Sequence, residues 1–268
     1  MNPKVSIIIS THNQAKYLEQ AVSSVMNQSY DNIHAVLIDD QSTDTTPEVI
    51  EKLLVLYPEL EVGHDNDVGS SNTRNRGVWL SLSDYIVFLD GDDWIDKAFV
   101  EKIMSIMLQD KNLGFVYVDT IYVKDGIHSP VPSPEYNFYN LIQNNFISYC
   151  SLFNREAYID CGGYDLHNFG YFEDYQLYLN LGRHGWYGKH LGENLFYYRI
   201  HSESSFQSIR AQTLFPLYRA YLISQYPEIH PPQWVEQAKI ELKKYPNDFM
   251  SWKPKDQEKY VHNVSGIT

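Results

Sequence analysis

The sequence predicts an α/β fold with a mostly parallel sheet, helices on both faces of that sheet and a helical extension at the C-terminal end. Short runs of β-branched and aliphatic residues alternate with segments whose apolar residues recur at spacings of three and four. The runs lack the polar alternation of half-exposed strands, which is typical of strands buried on both faces. In such sheets, ligands bind at the carboxyl ends of the strands.

The elements follow one another in a regular order. Strands are predicted at Val5 to Ile9, Ala35 to Ile38, Leu60 to Val62, Tyr85 to Leu89 and Phe115 to Tyr122. Between them, apolar stripes predict helices near Leu18 to Met26, Thr46 to Tyr57, Ser71 to Leu82 and Asp96 to Leu108. Thr46 and Pro47 are a favourable helix start, because proline at the first helical position loses no hydrogen bond.

The regular alternation ends after Tyr122. The proline-rich run from Ser129 to Pro134 is interpreted as an extended connection. We therefore divide residues 1–211 into a first half, about 1–122, and a second half, about 123–211. Residues 212–268 are predicted to form an extension with two helices, the second having Trp234 and Ala238 on its apolar side.

Composition limits the classes of partner. The chain has 268 residues and a formal net charge of -13, which repels phosphate backbones and argues against nucleic acid as the main partner. Cys150 and Cys161 are too few for a disulfide framework. The run Val5 to Ile9 is too short for a secretory signal, and the longest uncharged stretch is rich in amides, so no transmembrane segment is expected.

Acidic residues follow two of the predicted strands. Asp39 and Asp40 come after the second strand, and Asp90, Asp92 and Asp93 come after the strand that ends at Leu89. Parallel strands end at the same edge of a sheet, so both groups should share one rim. Oxygen-only ligands favour Mg²⁺ or Mn²⁺, and either ion would make an acidic rim compatible with a diphosphate. The alternative is that aspartate simply marks turns.

The chain resembles the inverting family 2 glycosyltransferases, which have the GT-A fold with a Rossmann-like sheet. The matching motifs run from Val5-Ser-Ile-Ile-Ile-Ser-Thr-His-Asn13 through Leu37-Ile-Asp-Asp40, Arg74-Asn75 and Phe88-Leu-Asp-Gly-Asp-Asp93 to Gly162-Gly-Tyr-Asp165, Phe172-Glu-Asp174 and Tyr198-Arg-Ile-His201. This resemblance extends over about three quarters of the chain in the order that the family has, which is more specific than any single motif.

The resemblance implies a role for each matching residue. The implied nucleotide-binding residues are Ser10, His12, Asp39, Asp40, Arg74, Asp90 and Arg199. Asp40 would bind the base, and a carboxylate that accepts from an imide N–H favours uracil over cytosine. Asp90 would face the ribose or the metal. Asp92 and His201 would bind the metal, while Asp93 would bind the metal or cap the next segment. The first half of the chain would then bind the donor and the second half the acceptor.

Asp174 is the predicted general base. Direct displacement at the anomeric carbon needs one carboxylate within reach of the acceptor hydroxyl that it deprotonates. Glu173 is predicted on the acceptor side, where it would orient the acceptor or cap a helix. The alternative for this pair is an acidic first helical turn favoured by the helix dipole.

We therefore expect a metal-dependent glycosyltransferase that uses Mn²⁺ or Mg²⁺ and a nucleotide sugar donor, with UDP-sugars favoured. The acceptor would be a glycan or a lipid-linked saccharide in cell-surface polysaccharide or glycan assembly. The protein would be cytoplasmic, at the inner face of the membrane if it associates peripherally. A non-catalytic nucleotide-sugar or glycan binding module with the same fold is the alternative. Ser10, Gln41 and Asn180 depart from the family pattern, which commonly has proline, glycine and arginine there.

Overall fold

The computed structural model describes residues 2–66, 69–165, 172–201 and 209–246. Its strands are β1 Val5–Thr11, β2 Ile33–Asp40, β3 Glu61–Asp65, β4 Tyr85–Asp90, β5 Trp94–Ile95, β6 Leu113–Lys124, β7 Ile127–Val131, β8 Leu152–Asn154 and β9 Tyr187–Arg199. Its helices are α1 Leu18–Met26, α2 Thr46–Leu56, α3 Ser70–Leu80, α4 Phe99–Met107, α5 Phe138–Gln143, α6 Arg155–Asp160, α7 Glu173–Arg183, α8 Ile209–Gln225 and α9 Pro232–Leu242.

The strands join into one sheet with the order β3-β2-β1-β4-β8-β6-β9-β5, and β7 pairs with β6. The four strands β3, β2, β1 and β4 are parallel to one another. Beyond them the sheet is mixed, because β8 is antiparallel to both β4 and β6 while β9 is parallel to β6. This α/β architecture agrees with the predicted fold class.

The centre of the sheet is fully covered. All seven residues of β1 are buried, which explains why this strand shows no polar alternation in the sequence. Helix α3 approaches β1 closely at Gly77, where an added Cβ would overlap the side chain of Ile8. The small residue therefore sets the distance between this helix and the sheet. The usual right-handed connections place α1 and α2 on one face and α3 on the other.

Strand register brings the predicted acidic groups to one edge. Ser10 pairs with Ile38 of β2 on one side and with Asp90 of β4 on the other. Thr11 pairs with Asp39. The carboxyl ends of β1, β2 and β4 thus form a common rim, as the sequence predicted.

The second half differs from the prediction in one segment. Residues 129–131 belong to β7, which forms a hairpin with β6 across a tight turn, so the predicted extended connection is in part a strand. Pro130 is tolerated there because β7 is an edge strand. The predicted division at 122/123 lies inside β6, so both halves share one sheet. The division into donor and acceptor halves stays a prediction about binding.

Both predicted C-terminal helices are present as α8 and α9. Leu222 of α8 and Tyr226, which directly follows α8, join the main core, while Ala220, Ile223 and Ala238 form a small cluster between the two helices. The predicted polar end after Trp252 lies outside the described residues. No helix in the described part of the chain is long and apolar enough to cross a membrane.

Candidate active site

The rim begins at β1 and β4. The hydroxyl of Ser10 donates to Oδ1 of Asp90 at 2.9 Å, so a side chain from each neighbouring strand is joined at the edge of the sheet. His12 lies just beyond β1, with its Nδ1 2.6 Å from the backbone oxygen of Asp40. Asn13 contacts the other nitrogen of this imidazole at 3.0 Å. His12 is exposed, and its ring lies beside the rim.

The two acidic residues at the end of β2 have separate partners. Asp39 accepts hydrogen bonds at Oδ1 from the hydroxyl of Ser42 at 2.5 Å and from its backbone N–H at 3.3 Å. Asp40 accepts at Oδ2 from the backbone N–H of Gly69 at 2.8 Å, directly before α3. Gln41 between these contacts has a φ of 58°. A left-handed conformation favours glycine, which explains why the resembled family commonly has glycine there.

Arg74 of α3 connects Asp90, on the rim formed by β1, β2 and β4, to α7. It is 2% exposed, and its guanidinium donates to Asp90 at 2.7 Å and to Glu173 at 3.0 Å. Its Nε is buried and has no hydrogen-bond partner among the described residues. The aromatic rings of Tyr149 and Tyr164 lie 5.0 and 5.3 Å from the guanidinium carbon. A buried cation bound by two carboxylates is compensated in charge and fixed in position.

Glu173 therefore contacts α3. Its Oε1 accepts from Arg74 at 3.0 Å and lies 3.2 Å from the hydroxyl of Ser70. The sequence suggested a residue that orients the acceptor or caps a helix, and the observed partners are both residues of α3. Its acceptor-side role stays a prediction.

Asp90, Asp92 and Asp93 form an acidic cluster after β4. One carboxylate oxygen from each lies within 4.8 Å of the others. Asp92 Oδ2 is 2.9 Å from Nε2 of His201, so the two residues that the resemblance assigned to a metal lie side by side. This contact joins the end of β4 to the residue that follows β9 by two positions.

Asp93 differs from its neighbours because both of its oxygens are occupied. Oδ1 accepts from the backbone N–H of Arg199 at 2.7 Å, and Oδ2 accepts from the hydroxyl of Tyr149 at 2.5 Å. Burial, together with the charges of Asp92 and Asp90, raises the pKa of Asp93 well above its usual range. Asp93 thus fixes the acidic turn to β9, and each of its oxygens already has a hydrogen-bond partner.

The other carboxylate oxygens of the cluster, together with the imidazole of His201, suit a divalent cation. Within the described residues, no hydrogen bond is assigned to Asp90 Oδ2 or Asp92 Oδ1, and both atoms belong to partly buried carboxylates. Carboxylate oxygens suit Mg²⁺ and Mn²⁺, and an imidazole nitrogen suits Mn²⁺ better than Mg²⁺. Asp92, His201 and Asp90 are therefore the residues that could hold the ion.

Arg199 has a well-defined setting beside this cluster. Its Nε donates to the backbone oxygen of Asp92 at 2.8 Å, and its guanidinium carbon lies 4.6 Å from the rings of both Tyr17 and Trp94. Another nitrogen donates to Gln20 at 2.6 Å. The sequence predicted a nucleotide contact for Arg199, and these contacts show how its cation is oriented at the rim.

Tyr149 is a site residue that the sequence did not indicate. Its hydroxyl donates to Asp93 and accepts from the backbone N–H of Asp90 at 3.1 Å, while its ring lies beside Arg74. It occupies an irregular segment between α5 and β8, where no periodic pattern or motif marks a position. Predicting Tyr149 as a site residue would require knowing which segment packs under the turn that contains Asp92 and Asp93.

We expect Tyr149→Phe to destabilise the fold by about 1–3 kcal/mol, because a buried carboxylate and a buried N–H each lose a hydrogen-bond partner. Urea unfolding of the wild-type and variant proteins measures the difference. Tyr139→Phe is the matched control, because Tyr139 is 70% exposed and its change should stay within about 0.5 kcal/mol. Equal stability of the two variants would contradict the role given to the Tyr149 hydroxyl.

Asp174 lies in the first turn of α7, next to Glu173. Its Oδ1 accepts from the backbone N–H of Tyr175 at 2.7 Å, and its Oδ2 accepts from Asn145 at 3.2 Å. Burial, reinforced by the negative charge of Glu173, raises the pKa of Asp174 to about 7. A carboxylate with such a pKa can accept a proton near neutral pH and release it again.

Four of the predicted residues form a continuous hydrogen-bond network. Ser10 is bonded to Asp90, Asp90 to Arg74, and Arg74 to Glu173, which adjoins Asp174 in the chain. Asp40 joins the same network through Gly69 at the start of α3. The arrangement combines an acidic rim suited to a cation with a carboxylate of raised pKa at a neighbouring helix start.

The fold and this rim define a protein of the GT-A glycosyltransferase class. The sequence profile described as "Glycosyl transferase family 2" matches residues 6–175. The chain belongs to glycosyl transferase family 2.

Curated relatives agree with this family. The chain is 29% identical over 205 residues to the β-1,3-glucosyltransferase WfaP of Escherichia coli, covering 75% of this chain and 78% of that protein. It is 29% identical over 206 residues to the chondroitin synthase of Pasteurella multocida, covering 76% of this chain and 21% of that protein. It is 29% identical over 102 residues to the glycosyltransferase EpsH of Bacillus subtilis, covering 38% of this chain and 30% of that protein. The chain thus spans less than a third of the length of two of these relatives.

Solved structures share the fold. TarS of S. aureus in complex with UDP-GlcNAc has a TM-score of 0.66 and 20% identity, covering 82% of this chain and 66% of that one. The mannosyltransferase PcManGT of Pyrobaculum calidifontis, in complex with GDP-Man and Mn²⁺, has a TM-score of 0.67 and 15% identity, covering 99% of this chain and 76% of that one. These similarities establish the GT-A architecture.

Proposed function

We propose that this protein is an inverting glycosyltransferase that moves a sugar from a UDP-sugar to an acceptor hydroxyl, with Mn²⁺ or Mg²⁺ as cofactor. The observation that carries the proposal is the pairing of Asp92 with His201 at 2.9 Å on the same rim as the Arg74 network that reaches α7. The acceptor would be a glycan or a lipid-linked saccharide in cell-surface polysaccharide or glycan assembly. WfaP is named for UDP-glucose and a diphosphoundecaprenol-linked acceptor, which supports this choice of substrate class.

In the proposed donor complex, Asp40 accepts a hydrogen bond from the imide N–H of uracil, which cytosine lacks. Ser10, His12, Asp39 and Asp90 line the nucleoside, and Arg74 and Arg199 contribute positive charge near the diphosphate. Asp92 and His201 would hold a divalent cation, which would neutralise the charge that develops on the diphosphate. The -13 net charge of the chain makes such local compensation necessary for an anionic ligand.

In the proposed transfer, the acceptor oxygen attacks the anomeric carbon from the face opposite the diphosphate. The bond from that carbon to the diphosphate oxygen breaks, and its electron pair stays on the diphosphate. Asp174 takes the proton from the acceptor hydroxyl as the new bond forms, so the configuration at the anomeric carbon is inverted. The pKa of about 7 for Asp174 suits this proton transfer at neutral pH.

The experiment that tests the proposal is a UDP-release assay with a panel of UDP-sugars and saccharide acceptors. UDP release should require both the acceptor and Mn²⁺ or Mg²⁺, and a chelator should abolish it until the ion is restored. The ¹H NMR spectrum of the product should show an anomeric configuration inverted relative to that of the donor. Tight UDP binding without release across the whole panel would instead favour the non-catalytic binding module.

A further inference from the structure

We propose that Asn145 is a positioning residue for the general base, holding the Asp174 carboxylate toward the acceptor side and stabilising its charged form. This inference rests on the proposed function, because it assigns Asp174 the role of base. Asn145 lies in the segment 144–151 that follows α5, and the family motifs do not include it. Its amide Nδ2 donates to Asp174 Oδ2 at 3.2 Å.

The orientation of the Asn145 amide is determined by a second contact. Its Oδ1 accepts from the backbone N–H of Ile147 at 3.1 Å, and Ile147 is 2% exposed. With the amide oxygen occupied by an N–H donor, the NH₂ group must face the carboxylate. Asn145 therefore acts as a donor to Asp174, because the reversed amide would place two acceptors together at Asp174 and two donors together at the Ile147 N–H.

The end of α5, which leads into the segment that presents Asn145, is held to α7. The hydroxyl of Tyr175 lies 2.8 Å from the backbone oxygen of Leu141 and 3.0 Å from that of Ile142, just ahead of Asn145 in the chain. Tyr175 also provides the backbone N–H that binds Asp174 Oδ1. One residue of α7 thus fixes both the end of α5 and the other oxygen of the base.

The charged and titratable groups around Asp174 come from three elements. Glu173 precedes it on α7 and raises its pKa, while Arg74 on α3 lowers it. Burial raises the pKa of Tyr122 on β6 and of Tyr178 on α7, and the negative charge of Asp174 raises both further. Since these tyrosines stay neutral near pH 7, Glu173 and Arg74 set the local field, and Asn145 is a neutral donor to the carboxylate.

Removing that donor should make the charged form of Asp174 less favourable, because a hydrogen bond to a carboxylate lowers its pKa. Asn145→Asp keeps an oxygen for the Ile147 N–H and places a second carboxylate against Asp174. On the acidic side of the pH profile, called the acid limb below, its kcat/KM should fall at a pH about one unit or more higher than in the wild-type protein. Asn145→Ala should move the acid limb in the same direction by a smaller amount.

Asn137→Asp is the matched control. Asn137 belongs to the same region, is exposed, and accepts from the backbone N–H of Asn140 at 3.0 Å, so the aspartate keeps this cap while adding the same charge. Its acid limb should coincide with that of the wild-type protein. The pKa of Asp174 is also measured directly, from carboxyl ¹³C chemical shifts assigned by comparison with Asp174→Asn.

The inference is supported if both the acid limb and the ¹³C-derived pKa rise in Asn145→Asp and stay unchanged in Asn137→Asp. It is overturned if Asn145→Asp leaves the pKa of Asp174 at its wild-type value, even when activity falls. If the wild-type protein released no UDP at any pH, the proposed function would fail, and the ¹³C titration would still decide the role of Asn145.

Discussion

Replacing Asp174 with asparagine should reduce the rate of sugar transfer by about 10²- to 10⁴-fold, which is the usual contribution of a positioned general base. The amide is nearly the same size as the carboxylate but cannot accept the acceptor proton. UDP affinity should change little, because Asp174 lies outside the proposed donor contacts. Steady-state kinetics and UDP calorimetry on the same preparations measure the two effects separately.

The pH dependence of the wild-type protein gives a second measurement of the same role. The base acts in its deprotonated form, so kcat/KM should fall about tenfold per pH unit below the pKa of about 7 that burial gives Asp174. Asp125→Asn serves as a control, because Asp125 lies in the exposed turn between β6 and β7. An Asp174→Asn variant with half of the wild-type rate or more would exclude Asp174 as the base.

Replacing Arg74 with leucine should destabilise the fold by about 3–5 kcal/mol, the usual cost of removing one partner of a buried ion pair. Arg74 is 2% exposed and binds both Asp90 and Glu173. Leucine would leave two partly buried carboxylates facing each other without a cation. Urea unfolding measured at constant pH and ionic strength gives the loss.

Arg76→Leu is the matched control, because Arg76 is two residues further along α3 and pairs with Asp65. The side chain of Arg76 is 47% exposed, so its loss should cost about 1 kcal/mol or less. Adding Glu173→Gln to Arg74→Leu should recover part of the lost stability by removing one orphaned charge. A loss below about 1 kcal/mol for Arg74→Leu, or no recovery in the double variant, would contradict this account of the network.

The order of elements was predictable because each local pattern agrees with its tertiary surroundings. The run Val5 to Ile9 reads as a strand buried on both faces, and every residue of it is buried. The second half was harder to predict, because Pro130 marks a break in a central strand but is compatible with the edge strand β7. Whether a strand lies at an edge depends on the whole sheet, which local sequence does not encode.

The same limit applies to the site. The acidic rim followed from strand ends alone, since parallel neighbours bring Asp39 and Asp90 to one edge. The partners of these residues did not follow, because Tyr149 and Asn145 reach the site from an irregular segment by long-range packing. The hydrogen bonds that occupy both oxygens of Asp93 depend on contacts 56 and 106 residues away. Such contacts require the folded arrangement of β9 and the segment after α5.

In the proposed function, aspartates on the rim bind a divalent cation, which in turn allows a nucleoside diphosphate to bind. The most direct measurement is calorimetric titration of UDP into the wild-type protein and Asp92→Asn, each with Mn²⁺ and with a chelator. We expect Mn²⁺ to strengthen UDP binding to the wild-type protein at least tenfold, about 1.4 kcal/mol, and to have little effect on Asp92→Asn. Equal UDP affinity with and without Mn²⁺ in the wild-type protein would contradict it.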